Sequence, residues 1–305
     1  MVKRRGDKMK TSIKRSKEDL IFDIINYTVL TLALFVVAYP LYFIVIASIS
    51  DPDAVNNGLV WLLPVGITGE GYERIFQDSR IWLGYKNTFI YTIVGTLINI
   101  TLTMMIAYPL SRKDFSGKKF LMIFLMITMY FNGGLIPTYL VVKDLHLNNS
   151  WWVMVILGAV SVYNVIIART FLQNNIPEEL YEAASIDGCS HFVFFIKMVL
   201  PLSKAIIAVL TLYYGIGHWN EFMRALIYLR DEKLYPLQII LRSILVQNMS
   251  QDPMMGDVEN AVEMARIGEL IKYGVIIVAS VPVLLLYPLL QKYFVQGVMI
   301  GSVKG

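Results

Sequence analysis

Tyr181-Glu182-Ala183-Ala184-Ser185-Ile186-Asp187-Gly188, with Leu200-Pro201 twelve residues beyond Gly188, is the stretch on which the reading of this chain turns. It is a polar, acidic segment between two long apolar runs. Pro177 suits the first turn of a helix, where its missing N–H is not needed. Glu178, Glu179 and Glu182 crowd the early turns, where the helix dipole favours negative charge. Gly188 is a natural C-terminal stop. Ser190 can cap a second helix over 191–199, which Pro201 ends. The spacing therefore predicts a helix–turn–helix. Ala183 and Ala184 leave one side of the first helix shallow, so a partner surface can approach. Glu182 can pair with a basic group of that partner or of its own loop. An ordinary acidic hairpin reads the same way, and Glu-Ala-Ala alone carries no weight.

Outward from this segment, the chain is strongly apolar. Of its 305 residues, 56% are hydrophobic and 16% charged, against about a quarter charged in a soluble domain. No Asp, Glu, Lys or Arg occurs in 24–50, 87–111, 120–142, 145–168, 205–220 or 273–291. Most of these gaps exceed the roughly 18 to 20 residues that a helix needs to cross a bilayer. They read as six spans, near 22–48, 87–110, 119–142, 151–172, 203–227 and 269–293. Asn132-Gly133-Gly134 and Pro137 interrupt the third. Such breaks are tolerated where neighbouring helices or a water-filled cavity satisfy the freed backbone; they read as a kink or as a gating hinge. The segment 51–86 reads as loop with one short amphipathic helix around Tyr72 to Phe76, and 228–268 as a long polar segment.

Lys and Arg placement sets the orientation. Lys3, Arg4, Arg5, Lys8, Lys10, Lys14, Arg15 and Lys17 precede the first span, and Arg112, Lys113, Lys118 and Lys119 follow the second. Arg74, Arg80 and Lys86, between spans one and two, are outnumbered by acidic residues. Both termini are therefore expected in the cytoplasm, together with the loop holding Glu182, and 220–268 outside. The first apolar run is too long for a signal-peptide core, so an uncleaved span is expected. The net charge of +4 reflects topogenic flanks that meet anionic membrane lipid, not nucleic-acid binding. Cys189 is the only cysteine, which excludes an internal disulfide and a thiolate metal site.

The sequence lacks a Gly-x-x-x-x-Gly-Lys-Ser/Thr phosphate loop and a His-Glu-x-x-His pair, and His146, His191 and His218 are scattered. No metal site, no catalytic residue and no bound cofactor are expected. Paired intramembrane carboxylates, expected of a proton-coupled carrier, are also missing.

Glu182, Ala183, Ala184, Gly188, Ile196, Leu200 and Pro201 fall on a known pattern. The segment resembles the "EAA" loop of ABC-importer permeases. Gly217-His218-Trp219-Asn220-Glu221-Phe222 and the ending Gly297-Val298-Met299-Ile300-Gly301-Ser302-Val303-Lys304-Gly305 are similar to the carbohydrate branch, which includes the second permease of the maltose importer. Asn132-Gly133-Gly134-Leu135-Ile136-Pro137-Thr138-Tyr139 and Leu234-Tyr235-Pro236-Leu237-Gln238 resemble the lipoprotein-type oligosaccharide permeases of Gram-positive bacteria. The resemblance covers roughly residues 20 to 305.

What the resemblance implies is specific. The fold would be an all-α, six-span type I importer permease in the bacterial cell membrane. It would comprise a basic tail (1–21), a permease domain (22–295) with a coupling loop at 173–202 and an outer loop at 228–268, and a C-terminal tail (296–305). Glu182, Ala183, Ala184, Asp187, Gly188, Leu200 and Pro201 would couple to a separate ATPase. Gly301, Val303, Lys304 and Gly305 would reach between two ATPase subunits, which hold the ATP and Mg. Gln247, Asp252, Pro253, Asp257 and Glu259 would meet an extracellular solute-binding protein; a solvated acidic loop reads the same. A second, related permease would complete the path.

Aromatic faces and amides inside the membrane are candidates for touching a sugar, foremost Asn99, Tyr139, Trp219 and Asn220, although helix–helix hydrogen bonding explains them equally. The expected function is import of a carbohydrate, an oligosaccharide or glycan. A permease for a non-sugar solute, or a stand-alone secondary carrier, is the alternative.

Overall fold

The computed structural model describes residues 16–249, 266, 268, 271–285 and 288. All regular structure among them is helical, and the chain divides into two units, residues 1–68 and 69–305.

In the first unit, α1 (Lys17–Ser48) opens with a reciprocal capping box between Ser16 and Asp19. It runs through Pro40 and carries a long exposed apolar surface from Leu20 to Val45, the surface that lipid covers in a spanning helix. Asp51 caps α2 (Pro52–Asn56), accepting from the Asp53 and Ala54 N–H groups. The sequence reading had only loop there.

In the second unit, α3 (Glu70–Gln77) is the amphipathic helix expected around Tyr72. Asp78 caps α4 (Ser79–Ser111) and forks with the Arg80 guanidinium at 2.7 Å. That hydrogen bond holds the Asp78 carboxyl below its ordinary range. The helix begins eight residues before the expected span at 87, because the cap and the outer apolar residues extend it.

The later expected spans are broken. The third is α5 (Lys118–Tyr130) and α6 (Leu135–Asp144), bent by 111° at Gly134, whose φ of +86° suits glycine. The fourth is α7 (Trp151–Ile156) and α8 (Val162–Asn175), interrupted at Gly158 with φ +74°. Next come α9 (Glu178–Ile186), α10 (His191–Phe194), a π turn (Phe195–Val199) and α11 (Leu200–Leu202).

The second hairpin helix does not stop at Pro201, as the sequence suggests. Proline removes the donor that the Lys197 carbonyl would use, and the backbone adjusts through the π turn. The break falls at Ser203, where the chain bends by 79° into α12 (Lys204–Trp219). Expected span five, 203–227, is α12 only as far as Trp219, and α13 (Met223–Tyr228) is separate. The "polar" segment after it contains a 13-residue apolar helix, α14 (Leu237–Met249). The described part of the last expected span is α15 (Ile271–Leu285). Among the described residues, two helices are long and apolar enough to cross a membrane, or up to four if each bent pair is one span.

α4 is the mast of this unit: α12, α8, α14 and α7 all pack on it. Lipid tails are as apolar as leucine, so close approach of backbones rather than hydrophobicity drives such packing. Two glycines of α4 provide it. A Cβ on Gly95 would lie 2.4 Å from His218 Nε2, and one on Gly84 would lie 3.0 Å from the Leu237 backbone.

Candidate functional site

The hairpin of α9 and α10 forms as the residue order dictates. Asp187 is the C-cap and Gly188 follows with φ +74°. The Cys189 N–H donates to the Ala184 carbonyl (2.9 Å) and the Gly188 N–H to the Ser185 carbonyl (3.0 Å), the two bonds that close a helix on a left-handed glycine. Ser190 Oγ accepts from the Val193 N–H. A side chain at Gly188 would meet open space, so the glycine is needed for its backbone angle alone.

The helix has two unlike faces. Leu180, Tyr181, Ala184 and Cys189 pack inward on a core that contains Leu110, Leu172, Phe194 and Val199. Glu182, Ala183, Ile186, Asp187 and Gly188 are exposed. The two alanines thus separate, Ala184 into the core and Ala183 outward. Ile186 is 87% exposed and Phe192 69%, an apolar pair that the sequence reading did not single out. Glu182 forms no ion pair among the described residues. Leu200 packs on the same core, while Pro201 is exposed.

Arg112, which ends α4, ties the hairpin down. Its side chain is 9% exposed and reaches Glu178 at 2.8 Å and Asp114 at 3.2 Å. Its guanidinium carbon lies 3.5 Å from the centre of the Tyr181 ring, within cation–π range. The Tyr181 hydroxyl bonds the His191 ring at 3.0 Å, and Tyr181 meets the buried Phe194 edge-on at 5.3 Å. Arg169 Nε donates to the Leu110 carbonyl at 3.0 Å, so α8 joins the same knot. The Asp114 carboxyl is held below its ordinary range by its hydrogen bond from Arg112. A cavity of about 340 Å³ opens beside this knot, between Tyr108, Arg112, Leu172 and Glu178. The sequence reading used Arg112 only as a topogenic charge. Nothing local marks it as a clamp, since its partners lie 66 and 69 residues away in Glu178 and Tyr181.

The other expected site residues are dispersed. Asn99 is 3% exposed and its Oδ1 lies 3.4 Å from His218 Nε2. Trp219 is 2% exposed and its indole N–H donates to the Ala279 carbonyl at 2.9 Å. Tyr139 stacks on Tyr228 at 5.9 Å. Asn220 is exposed at the end of α12. Gln247 falls in the last turn of α14. Asp252, Pro253, Asp257, Glu259, Gly301, Val303, Lys304 and Gly305 lie outside the described residues.

The chain belongs to the family described as "binding-protein-dependent transport system inner membrane component", whose family model matches residues 81–300. It is therefore a membrane component of such a transport system. It is 36% identical, over 93% of its length and 99% of the relative's, to the polygalacturonan/rhamnogalacturonan transport system permease protein YtcP of Bacillus subtilis (strain 168). It is 34% identical to Protein LplC of the same organism, over 96% and 98% of the two chains. A chain from the crystal structure of a bacterial ABC transporter involved in the import of the acidic polysaccharide alginate superposes with a TM-score of 0.82. That chain is 32% identical, and the match covers 92% of this chain and 99% of that one.

Proposed function

We propose that this chain is the permease subunit of an ATP-driven, binding-protein-dependent importer for a carbohydrate, an oligosaccharide or glycan. The relatives named for polygalacturonan, rhamnogalacturonan and alginate support the substrate class. In this reading the broken spans and α15 complete a six-span bundle with both termini in the cytoplasm. A second related permease forms the other half of the path, two ATPase subunits hold ATP and Mg, and an extracellular binding protein delivers the solute. The chain itself catalyses nothing.

The observation that carries the coupling role is the exposed tip of α9 set on a buried clamp. Glu182, Ala183, Ile186 and Asp187 offer a small, partly apolar knob to the ATPase. Arg112, Tyr181 and Glu178 fix that knob to the end of α4. A displacement of the knob then reaches α4 through ion-pair and aromatic contacts, and through α4 the helices packed on it. The cytoplasmic loop of the resemblance supplies the direction: ATP-driven closure in the partner moves the hairpin, and the bundle switches the side to which it opens.

The test is ATP hydrolysis by the purified complex, reconstituted with its binding protein and screened against mono-, di- and oligosaccharides. One glycan class should stimulate hydrolysis, and the double change Ala183→Asp, Gly188→Asp should abolish the stimulation. Hydrolysis indifferent to every sugar in an assembled complex would overturn the carbohydrate reading.

A further inference from the structure

A cavity of about 590 Å³ opens where the end of α12 meets α14 and α15. Its walls are largely aliphatic, but Asn220, Phe222, Gln238, Arg242 and Ser280 also line it. The walls are firmly set. The Trp219 indole donates to the Ala279 carbonyl and the Tyr85 hydroxyl to the Val278 carbonyl at 2.7 Å, which ties α15 to α12 and α4. Gln238 Nε2 donates to the Trp219 carbonyl at 3.4 Å, which orients the amide and leaves its Oε1 without a partner among the described residues.

Arg242 is the one charged residue among those that line the cavity. Arg74, Arg80, Arg112 and Arg224 each hold a carboxylate. Arg242 holds none among the described residues; its guanidinium lies 6.0 Å from the centre of the Phe222 ring, inside the same cavity. Arg242 is exposed at the cavity, open to an incoming solute, and its planar fork matches a carboxylate. An aromatic face and two amides beside it add what a sugar ring requires: a surface for its C–H face and partners for its hydroxyls. A phospholipid head group would use the cation and leave the amides and the ring unused.

We propose that this cavity is a subsite for an anionic glycan, in which Arg242 donates to the carboxylate of a uronate-type unit while Phe222 covers the ring and Asn220 and Gln238 meet its hydroxyls. The proposal rests on the carbohydrate-import reading and narrows it to acidic glycans. Arg242 is then a specificity-determining residue.

The experiment is equilibrium binding of trigalacturonate and of its fully methyl-esterified form to the purified full complex in lipid discs, without binding protein. The wild type is expected to favour the acid form by about tenfold, as one charge-assisted bidentate contact would give. Raising the salt should erode that preference. Arg242→Gln should weaken the acid form alone and bring the two ligands level; Arg242→Lys should keep a reduced preference. Equal binding of acid and ester by the wild type overturns the proposal, and so does an Arg242→Gln complex that keeps the full preference. A preference that follows the anionic-lipid content of the discs rather than the ligand's charge assigns Arg242 to lipid and also overturns it. The import reading fails differently: no sugar of either charge binds, and none stimulates hydrolysis.

Discussion

Gly188 and Arg112 act at the scale of a single residue. At φ +74° a side chain costs about 1 kcal/mol through backbone strain alone. Gly188→Ala is therefore expected to lower hairpin stability by that order while the complex still assembles. The measurement is the ratio of sugar-stimulated to basal hydrolysis, which should fall with unchanged subunit stoichiometry.

Arg112→Ala strands Glu178 and removes the cation from Tyr181. Coupling between Arg112 and Glu178 in a double-mutant cycle on thermal unfolding should fall between about 0.5 and 3 kcal/mol, the range for residues in one contact network. The hydrogen bond from Arg112 holds the Asp114 carboxyl below its ordinary value. Its folded value lies below its unfolded one, so its contribution is present above about pH 4 and lost as pH falls through the folded value. Asp114→Asn should therefore narrow the difference in melting temperature between neutral pH and pH 3. An unchanged difference would show that the exposed carboxylate contributes nothing.

Two expectations belong to the element. The tip of α9 and α10 shows Ile186 and Phe192 to solvent, and the proposed ATPase contact would cover both. Ile186→Asp should release the ATPase during purification while the permease pair stays together, as read by size exclusion with subunit quantification. In α4, Gly95 approaches His218 so closely that a Cβ would sit 2.4 Å from the ring. Gly95→Leu should therefore separate α4 from α12 and cost several kcal/mol, the range seen for overpacked cores and beyond. Loss of the folded complex in detergent would report it, and a normal melting temperature would contradict the packing.

At the scale of the whole molecule, Cys189 reads the proposed orientation. It is the only cysteine, half-buried beside Gly188. An impermeant maleimide should label it in inside-out vesicles and not in intact cells. Labelling from outside would invert the proposed topology and remove the coupling role with it.

Much of the chain was legible beforehand because its causes are local. The uncharged runs, the Asp-, Ser- and Gly-capped ends of the helices, and the hairpin of α9 and α10 follow from residues within a few positions of one another. The sequence by itself determined an all-helical membrane chain with an acidic two-helix hairpin. Glu-Ala-Ala, Gly188 and Leu200-Pro201 together pointed to its family. What only the tertiary structure decided is non-local. The break at Gly158 splits a run that hydropathy reads as continuous, because apolar content does not register a change of helix direction, and the interruption legible at Gly134 acquires its 111° bend only in the fold. α14 was hidden in a stretch averaged as polar. Arg112 became a clamp only when Glu178 and Tyr181, more than sixty positions away, came within about 3.5 Å, and Arg242 became a cation without an ion partner among the described residues only when α14 brought it beside Phe222 in a cavity. Charge counts predict where such residues stand relative to a membrane; packing alone fixes what they touch.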